Sequence, residues 1–458
     1  MKIVVCVRQG LDGEINPFDA CAYEEALRID GAEVILLSMA AANAKDFLLN
    51  LTRLGAKKAI LLSDKAFAGA DTLATAYTLS LAIKKLSPDL VFCGRQTLVG
   101  DTAQTGAMLS VLIGYNLVTN AMKIESIDEK EIVCQTREEG VSRENLPALI
   151  TVERINELRL PRLRSKLADI EIWDAQMLDA DISRCGLAGS PTRVVKTFEN
   201  ESGKRKCKFI PLSALESAIS DGLKKRKESI ETLSVSNERL EKVCIIGEAP
   251  RSFAKTVSDN IIKLDLKDKE LLAEEIKAIS PSAVIWGSDT KSKRISAEVA
   301  ALLGLGLCAD CTSLECQNGE LFMYRPALSG SIIAKIRSVT VPAMATVRTE
   351  SNDNKDIAIA LGYGACNCRE KVFALAEKIG AQVYATRKAV DNAYMPYSAQ
   401  VGLTGKTVSP PVYIAIGVSG AVHHIVGMQR SGTVIAINPD KDAPIFEYAD
   451  FGIIDNFE

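Results

Sequence analysis

The two histidines of this 458-residue chain, His423 and His424, stand side by side in PVYIAIGVSGAVHHIVGM, and the sequence holds no other imidazole. Imidazole is the side chain most used for proton transfer and metal binding near neutral pH, so a chain with one adjacent pair does not spread that chemistry over several sites. A bound cofactor that carries the reaction accounts better for such a composition. The pair follows a strand-like apolar run and a Gly/Ser turn, and it falls in the first turn of an apolar helical pattern. A histidine pair in a helix can be structural or functional, and the neighbouring turn of small residues keeps both readings open.

Other segments carry residue types suited to binding. In GDTAQTG, residues 100 to 106, Asp101 or Thr102 can cap a helix whose first amide N–H groups point outward, an arrangement that holds phosphate. Asn16-Pro17-Phe18-Asp19 reads as another helix start, with Asn16 as cap, Pro17 at the first helical position and Asp19 reaching back. Both also read simply as well-capped helices, since capping sequences are common. GLTGKT, from Gly402 to Thr407, approaches a phosphate loop, but Gln400 stands where the nucleoside-triphosphatase spacing needs glycine. GVSGA, from Gly417 to Ala421, approaches a nucleophile elbow, but Ala421 replaces the last glycine and no histidine follows the 423–424 pair to complete a triad. What remains is a small-residue turn that lets backbone amides approach a ligand, with Thr404, Ser419 and Asn438 as neutral hydrogen-bonding groups.

The twelve cysteines are scattered through strand-like and helical patterns, which suits reduced core thiols rather than a disulfide framework. Cys308 and Cys311 form a CxxC and Cys366 and Cys368 a CxC. A zinc or iron–sulfur site wants a second pair at matching spacing among turn glycines, so no metal is expected.

The elements that must position these groups alternate. Strand-like runs at 3–7, 34–38, 59–63 and 90–94 are separated by helical patterns near 20–29, 43–54, 71–86 and 103–113. Apolar strands interleaved with helices imply an α/β fold with parallel sheets covered on both faces, which bind ligands beyond the carboxyl ends of their strands. SPDLVFCG at 87–94 is echoed by SPSAVIWG at 280–287, and each copy precedes a helix ending in glycine, Gly114 or Gly304. Two related domains are therefore expected. Only the first copy carries the long RQTLVGDTAQTG loop, which suggests that one copy binds a nucleotide and the other is structural. The polar stretch near 196–242 reads as a surface helix and tether. Beyond Glu350 come a helix near 368–379 and strands at 412–417, 433–438 and 452–454.

Length alone implies two to four domains. A hydrophobic fraction of 47% with 25% charged residues describes an ordinary globular chain, and a formal charge of -3 excludes a nucleic-acid partner. No apolar run is long enough to span a bilayer and MKIVVCVRQG is not a signal peptide, so a cytoplasmic location is expected.

Taken together, these motifs resemble the electron transfer flavoprotein family with both subunits in one chain. NPFDACAYEEALRI, GRQTLVGDTAQTG, INELRLP and GLAGSPTRVVKTF are β-like. RPALSGSIIAKI, MATVR, YATRKAVDNAY, QVGLTGKTVSP, YIAIGVSGAVHHIVGM and AINPDKDAPIFEYADFGI are α-like. The resemblance implies a β-like nucleotide-binding domain at 1–195, a linker and tether helix at 196–240, an α-like N-terminal domain at 241–348 and a C-terminal FAD-binding domain at 349–458. FAD would be held through Thr386, Arg387, Thr404, Gly405, Lys406, Thr407, Ser419, Gly420, Ala421, His423, His424 and Asn438. Arg387 would favour the reduced, anionic flavin by its charge, and His424 would present a donor or cation to the flavin edge.

A second nucleotide would sit with Cys6, Asn16, Gly100, Asp101, Thr102 and Gln104. In ordinary members it is AMP; in electron-bifurcating members, which GDTAQTG resembles, it is a second FAD that accepts hydride from NADH. The implied role is a carrier without substrate chemistry of its own, passing electrons from an acyl-CoA or other flavin dehydrogenase to an acceptor such as ferredoxin or a quinone oxidoreductase. The alternative is a non-redox nucleotide-binding or scaffolding module on the same fold.

Several positions depart from the family pattern. Leu403 and His423 replace glutamines, Asn456 replaces an aspartate, and the chain ends at Glu458 before the usual final helix. The segment 158–173 is shorter and poorer in proline and lysine than the partner-recognition loop, and the N-terminal part of the α-like half is abbreviated.

Overall fold

The computed structural model describes residues 1–10, 13–97, 99–137, 140–199, 204–225, 236–328, 332–348, 355–402 and 405–457. They form an α/β fold in two compact units. The first takes in 1–197, 235–328 and 334–347, and the second 198–234, 329–333 and 348–458.

The first unit contains both copies of the duplicated block. In the first copy, the strands Lys2–Cys6, Glu33–Met39, Lys58–Leu62, Leu90–Gly94 and Ala148–Val152 run parallel, their branched apolar side chains buried on both faces. Chain order reverses between Lys2–Cys6 and Leu90–Gly94, so the switch point of this sheet lies between their carboxyl ends. The purely parallel sheet expected from the sequence is corrected at one edge. Asn116–Ile127, Glu131–Thr136 and Val141–Asn145 extend it as an antiparallel meander, whose polar outer residues hide its strand character from a search for continuous apolar runs.

The second copy repeats the parallel core with Val243–Ile246, Ile261–Leu264, Ala283–Trp286, Ala343–Val347 and Leu307–Cys311. The likeness extends to caps: Ser87 and Ser280 end their helices at φ 47° and 49°, and Gly114 and Gly304 at 75° and 66°. The helices Thr105–Ile113 and Thr290–Leu303 pack together across the two copies and share one apolar core. A further four-stranded sheet joins Thr192–Glu199 with Ile332–Ser338, Glu320–Ala327 and Ser313–Gln317.

The second unit is a six-stranded sheet whose spatial order is Lys208–Phe209, Phe451–Ile453, Thr433–Ile437, Val412–Ile416, Ile357–Leu361, Gln382–Ala385, every neighbour parallel. The segment read as a tether supplies the edge strand Lys208–Phe209 and the helix Leu215–Lys225, of which Leu215, Ala218 and Ile219 are buried in this core. Its stretches at 200–203 and 226–235 lie outside the described residues. Among the described residues no helix is long and apolar enough to cross a membrane.

Candidate functional site

In the first unit a cavity of 1120 Å³ opens at the switch point. It is lined by Cys6 and Arg8 after the first strand, by Ser63 and Asp64 after the third, by Cys93 to Thr97 around the end of the fourth, and by Gly100, Thr102 and Gln104 from the long loop. The second copy closes it with Leu307, Cys308, Ala309 and Arg325.

Of the residues expected here, Cys6, Gly100, Thr102 and Gln104 line the cavity, while Asn16 and Asp101 are buried behind its wall. The capping expectations are corrected. The helix begins at Thr105 with Gln104 in the cap position, whose side chain bonds no helix amide but accepts from Thr72 Oγ1 at 3.2 Å; Asp101 instead adopts φ 51° and its Oδ1 accepts from Gln96 Nε2 at 2.7 Å. The other helix does start at Pro17 after Asn16, but Asn16 donates to the Gln96 carbonyl at 3.0 Å rather than capping. Asp19 accepts from the N–H groups of Arg8 and Gly94 at 2.9 and 3.1 Å, tying the helix to two strand ends. A side chain on Gly94 would collide with it, since a Cβ there meets Asp19 Oδ1 at 2.4 Å.

The cavity wall has polar capacity to spare. Gln104 Nε2 and Arg325 Nε are buried without a hydrogen-bond partner, although Arg325 Nη2 donates to the Asp101 carbonyl at 3.0 Å. Unpaired buried polar atoms cost stability, so the site suits a ligand rich in hydrogen-bonding groups. Desolvation pushes the Asp19 carboxyl up to about 7, against the opposing pull of its hydrogen bonds, and pushes the Cys6 thiol up to about 12.

Arg8, Asp19, Cys308 and Arg325 were not expected in this site. Arg325 stands in the RPALSG motif, yet only the packing of the two copies brings it to Asp101, 224 residues away in sequence.

In the second unit chain order reverses between Ile357–Leu361 and Val412–Ile416, and the turns beyond their carboxyl ends meet. A Cβ on Gly362 would lie 2.0 Å from the Gly417 carbonyl oxygen, and one on Gly420 2.1 Å from Ile445 N. Gly417 and Gly420 also have φ of 65° and 92°, a region that favours glycine. Thr386 and Arg387 follow the edge strand Gln382–Ala385; Thr386 N donates to the Leu361 carbonyl at 3.0 Å, and its Oγ1 is buried without a partner. Arg387 Nε reaches Asp391 Oδ2 at 3.2 Å.

The turn holding Gly405, Lys406 and Thr407 packs on the helix Val422–Met428: Val408 N donates to the Gly427 carbonyl, and a Cβ on Gly402 would meet the His423 carbonyl at 2.7 Å. Lys406 N donates to Gln400 O, and Arg348 reaches Thr407 Oγ1 at 3.5 Å. Ser419 and Ala421 are exposed at the next turn, and Asn438 bonds the Val418 carbonyl at 2.9 Å. Apart from Thr404, which lies outside the described residues, the expected residues of this unit thus gather on adjoining turns. A cavity of 890 Å³ runs along the edge strand instead, and of the expected residues only Lys406 lines it.

His424 is buried, its Nε2 lies 2.9 Å from the Tyr413 hydroxyl, and its Nδ1 lies 3.2 Å from the Val401 carbonyl. Desolvation lowers its pKa to about 4, so the ring is neutral near pH 7 with both nitrogens engaged. His423 is half-buried in the same turn, and burial, then the charge of Arg387, depress its pKa.

Comparison with known proteins gives two family matches. A model described as "Electron transfer flavoprotein domain" matches residues 3–177 and 216–362, and one described as "Electron transfer flavoprotein FAD-binding domain" matches 353–429. Protein FixA of Azorhizobium caulinodans is 39% identical over 236 residues, covering 47% of this chain and 83% of that protein. The electron transfer flavoprotein subunit beta of Clostridium acetobutylicum is 38% identical over 205 residues (43% and 79%), and that of Megasphaera elsdenii 40% identical over 210 (42% and 78%).

Proposed function

The chain belongs to the electron transfer flavoprotein family, and on that premise we propose that it carries electrons on an FAD held by its second unit and keeps a second nucleotide in the cavity of its first. The observation that carries the flavin assignment is the crevice at the second switch point. There, glycines let the turns after the two strands pack backbone to backbone, and the unpartnered Thr386 hydroxyl offers a ligand a polar contact. FAD bound there supplies one- and two-electron redox chemistry.

Around it this chain's own residues bind and tune. Backbone amides of the Gly417–Gly420 turn and the Ser419 hydroxyl hold polar parts of the ligand, with the turn fixed by Asn438. Arg387, its guanidinium steadied by Asp391, favours added negative charge by Coulomb attraction. His424 stays inside, bridging Tyr413 to the Val401 carbonyl so that the adjoining turns keep their spacing.

For the second nucleotide the support is the volume of 1120 Å³ together with the unpaired Gln104 and Arg325 nitrogens. A space this large suits FAD as well as AMP, since small-molecule sites run to roughly 1,000 Å³. A dehydrogenase donates the electrons and a ferredoxin or quinone oxidoreductase accepts them. A surface suited to protein partners is the segment around Leu160 and Leu163, which are 87% and 103% exposed among Arg159, Arg162 and Arg164. Denaturing the purified chain and counting released nucleotides tests the whole reading. One FAD and one AMP per chain mark a simple carrier, two FAD mark a bifurcating one, and a chain that binds no flavin refutes the proposal.

A further inference from the structure

Cys308 and Cys311 sit on one strand, three residues apart, and on a regular strand such side chains point to opposite faces. Here they do not. From Cys308 to Cys311 the strand advances three residues while its partner advances two, from Ala345 to Val347, so one extra residue is inserted as a bulge. The bulge turns at Asp310, whose φ is 54°, and that conformation is pinned: Asp310 N donates to Thr346 Oγ1 at 2.8 Å and its carboxylate meets Lys293 Nζ at 2.8 Å. The outcome is that the Cys311 thiol folds back on Cys308, its Sγ reaching the Cys308 carbonyl at 3.7 Å.

The pair has an approach and a polarised member. Cys308 lines the 1120 Å³ cavity together with Arg325, whereas Cys311 is wholly buried behind it. We propose that Cys308 and Cys311 form a reactive dithiol on the wall of this cavity, which takes small-molecule disulfides and closes to an internal disulfide when the nucleotide is away. The Cys311 thiol, then the guanidinium of Arg325, favour the Cys308 thiolate against burial and the Asp310 carboxylate, while burial holds Cys311 as a thiol. The roles follow: Cys308 attacks and Cys311 resolves.

The exchange balances without any other oxidant. The Cys308 thiolate attacks one sulfur of the disulfide, forming a mixed disulfide and expelling one thiolate. Cys311 then loses its proton and attacks the Cys308 sulfur, expelling the second thiolate and closing the protein disulfide. The Cys311 proton passes to one expelled thiolate and the other takes up the proton that Cys308 lost on ionising, so the dithiol gives up two electrons and two protons in all and the small disulfide becomes two thiols. Cys6 and Cys93 line the same cavity, but burial raises both thiols, so they do not compete as nucleophiles.

The guarding part of this inference rests on the cavity being the nucleotide site. The experiment is treatment of the nucleotide-stripped chain with oxidised glutathione, followed by alkylation of the remaining thiols and peptide mapping. A Cys308–Cys311 linkage is expected in the native sequence. In Cys311→Ser, the reaction should stop with glutathione on Cys308. AMP or FAD at about 100 times its Kd should slow both reactions about a hundredfold, because only the empty fraction is open.

A linkage through Cys6 or Cys93, or a chain that keeps all twelve thiols while still binding nucleotide, overturns the dithiol. A linkage that forms at the same rate with and without measured nucleotide binding overturns the guarding alone and removes the nucleotide from this cavity. Because the linkage is mapped in the native sequence, the result does not depend on how well a variant folds.

Discussion

The Tyr413 hydroxyl and His424 Nε2 are 2.9 Å apart inside the second unit, and with the Val401 carbonyl at Nδ1 this contact sets the state of the ring. A carbonyl only accepts, so Nδ1, facing Val401 O, carries the proton and Nε2 accepts from the tyrosine. The unfolded chain takes up a second proton near pH 6.5, whereas burial lowers the folded value to about 4. Between those values the unfolded state binds more protons, so stability is full above pH 6.5 and is lost as pH falls toward 4. Thermal unfolding at pH 7.5 and pH 5 should show a loss of about 2 kcal/mol in the native sequence. His424→Gln should be flatter with pH, and equal slopes would remove the histidine from the account.

Gly362→Ala puts a methyl 2.0 Å from the Gly417 carbonyl oxygen, with backbone on both sides and no flexible side chain to give way. The crevice must open or the turn must move. The variant should be purified with most of its FAD missing while the first unit keeps its nucleotide. Full retention of FAD would place the flavin elsewhere.

Arg387→Ala removes the positive charge at the crevice. The flavin potential should fall by a few tens of millivolts, since a nearby charge contributes on the order of 1–2 kcal/mol and about 30 mV corresponds to 1.4 kcal/mol for two electrons. Arg387→Lys should retain most of the native value. Spectroscopic redox titration reads both, and an unchanged potential in the alanine variant would leave Arg387 without its tuning role.

Asp19, with its carboxyl raised to about 7, ionises across the physiological range at the wall of the first cavity. Its folded value lies above the unfolded value of about 3.9, so this group's stabilisation is complete below that value and fades as pH rises through 7. Ionisation also places a negative charge beside an anionic ligand. AMP affinity should therefore weaken from pH 6 to pH 8, by roughly threefold to tenfold, on the order of 1 kcal/mol. Calorimetry on Asp19→Asn should show a flatter profile; an unaltered one would mean that Asp19 stays protonated or lies too far from the phosphate.

The parallel strands and their helices were legible because buried branched residues and turn glycines mark them locally, as at Leu90–Gly94 and Val412–Ile416. The repeat was legible through Ser87-Pro88 and Ser280-Pro281, and it has a further trace in Leu146-Pro147-Ala148 against Val341-Pro342-Ala343, too short to stand out without the fold. The meander was missed because Val141–Asn145 is a mostly polar strand with no buried residue, on a solvated edge. Roles that depend on distant packing stayed hidden. Nothing near Arg325 announces Asp101 as its partner, and nothing in a VHH triplet says which imidazole turns inward toward Tyr413. Capping rules placed Asn16 and Pro17 rightly at the helix start but missed where the side chains of Asn16 and Asp19 bond, because the same short side chains can serve another part of the chain.

The first cavity is walled by residues from both copies of the duplicated block, with Gly100 and Thr102 on one side and Cys308 and Arg325 on the other. Had the copies been separate polypeptides, closing it would be a bimolecular event that fails on dilution. Within one chain the step is first-order, so the pocket survives at protein concentrations where free subunits would part and shed their ligand.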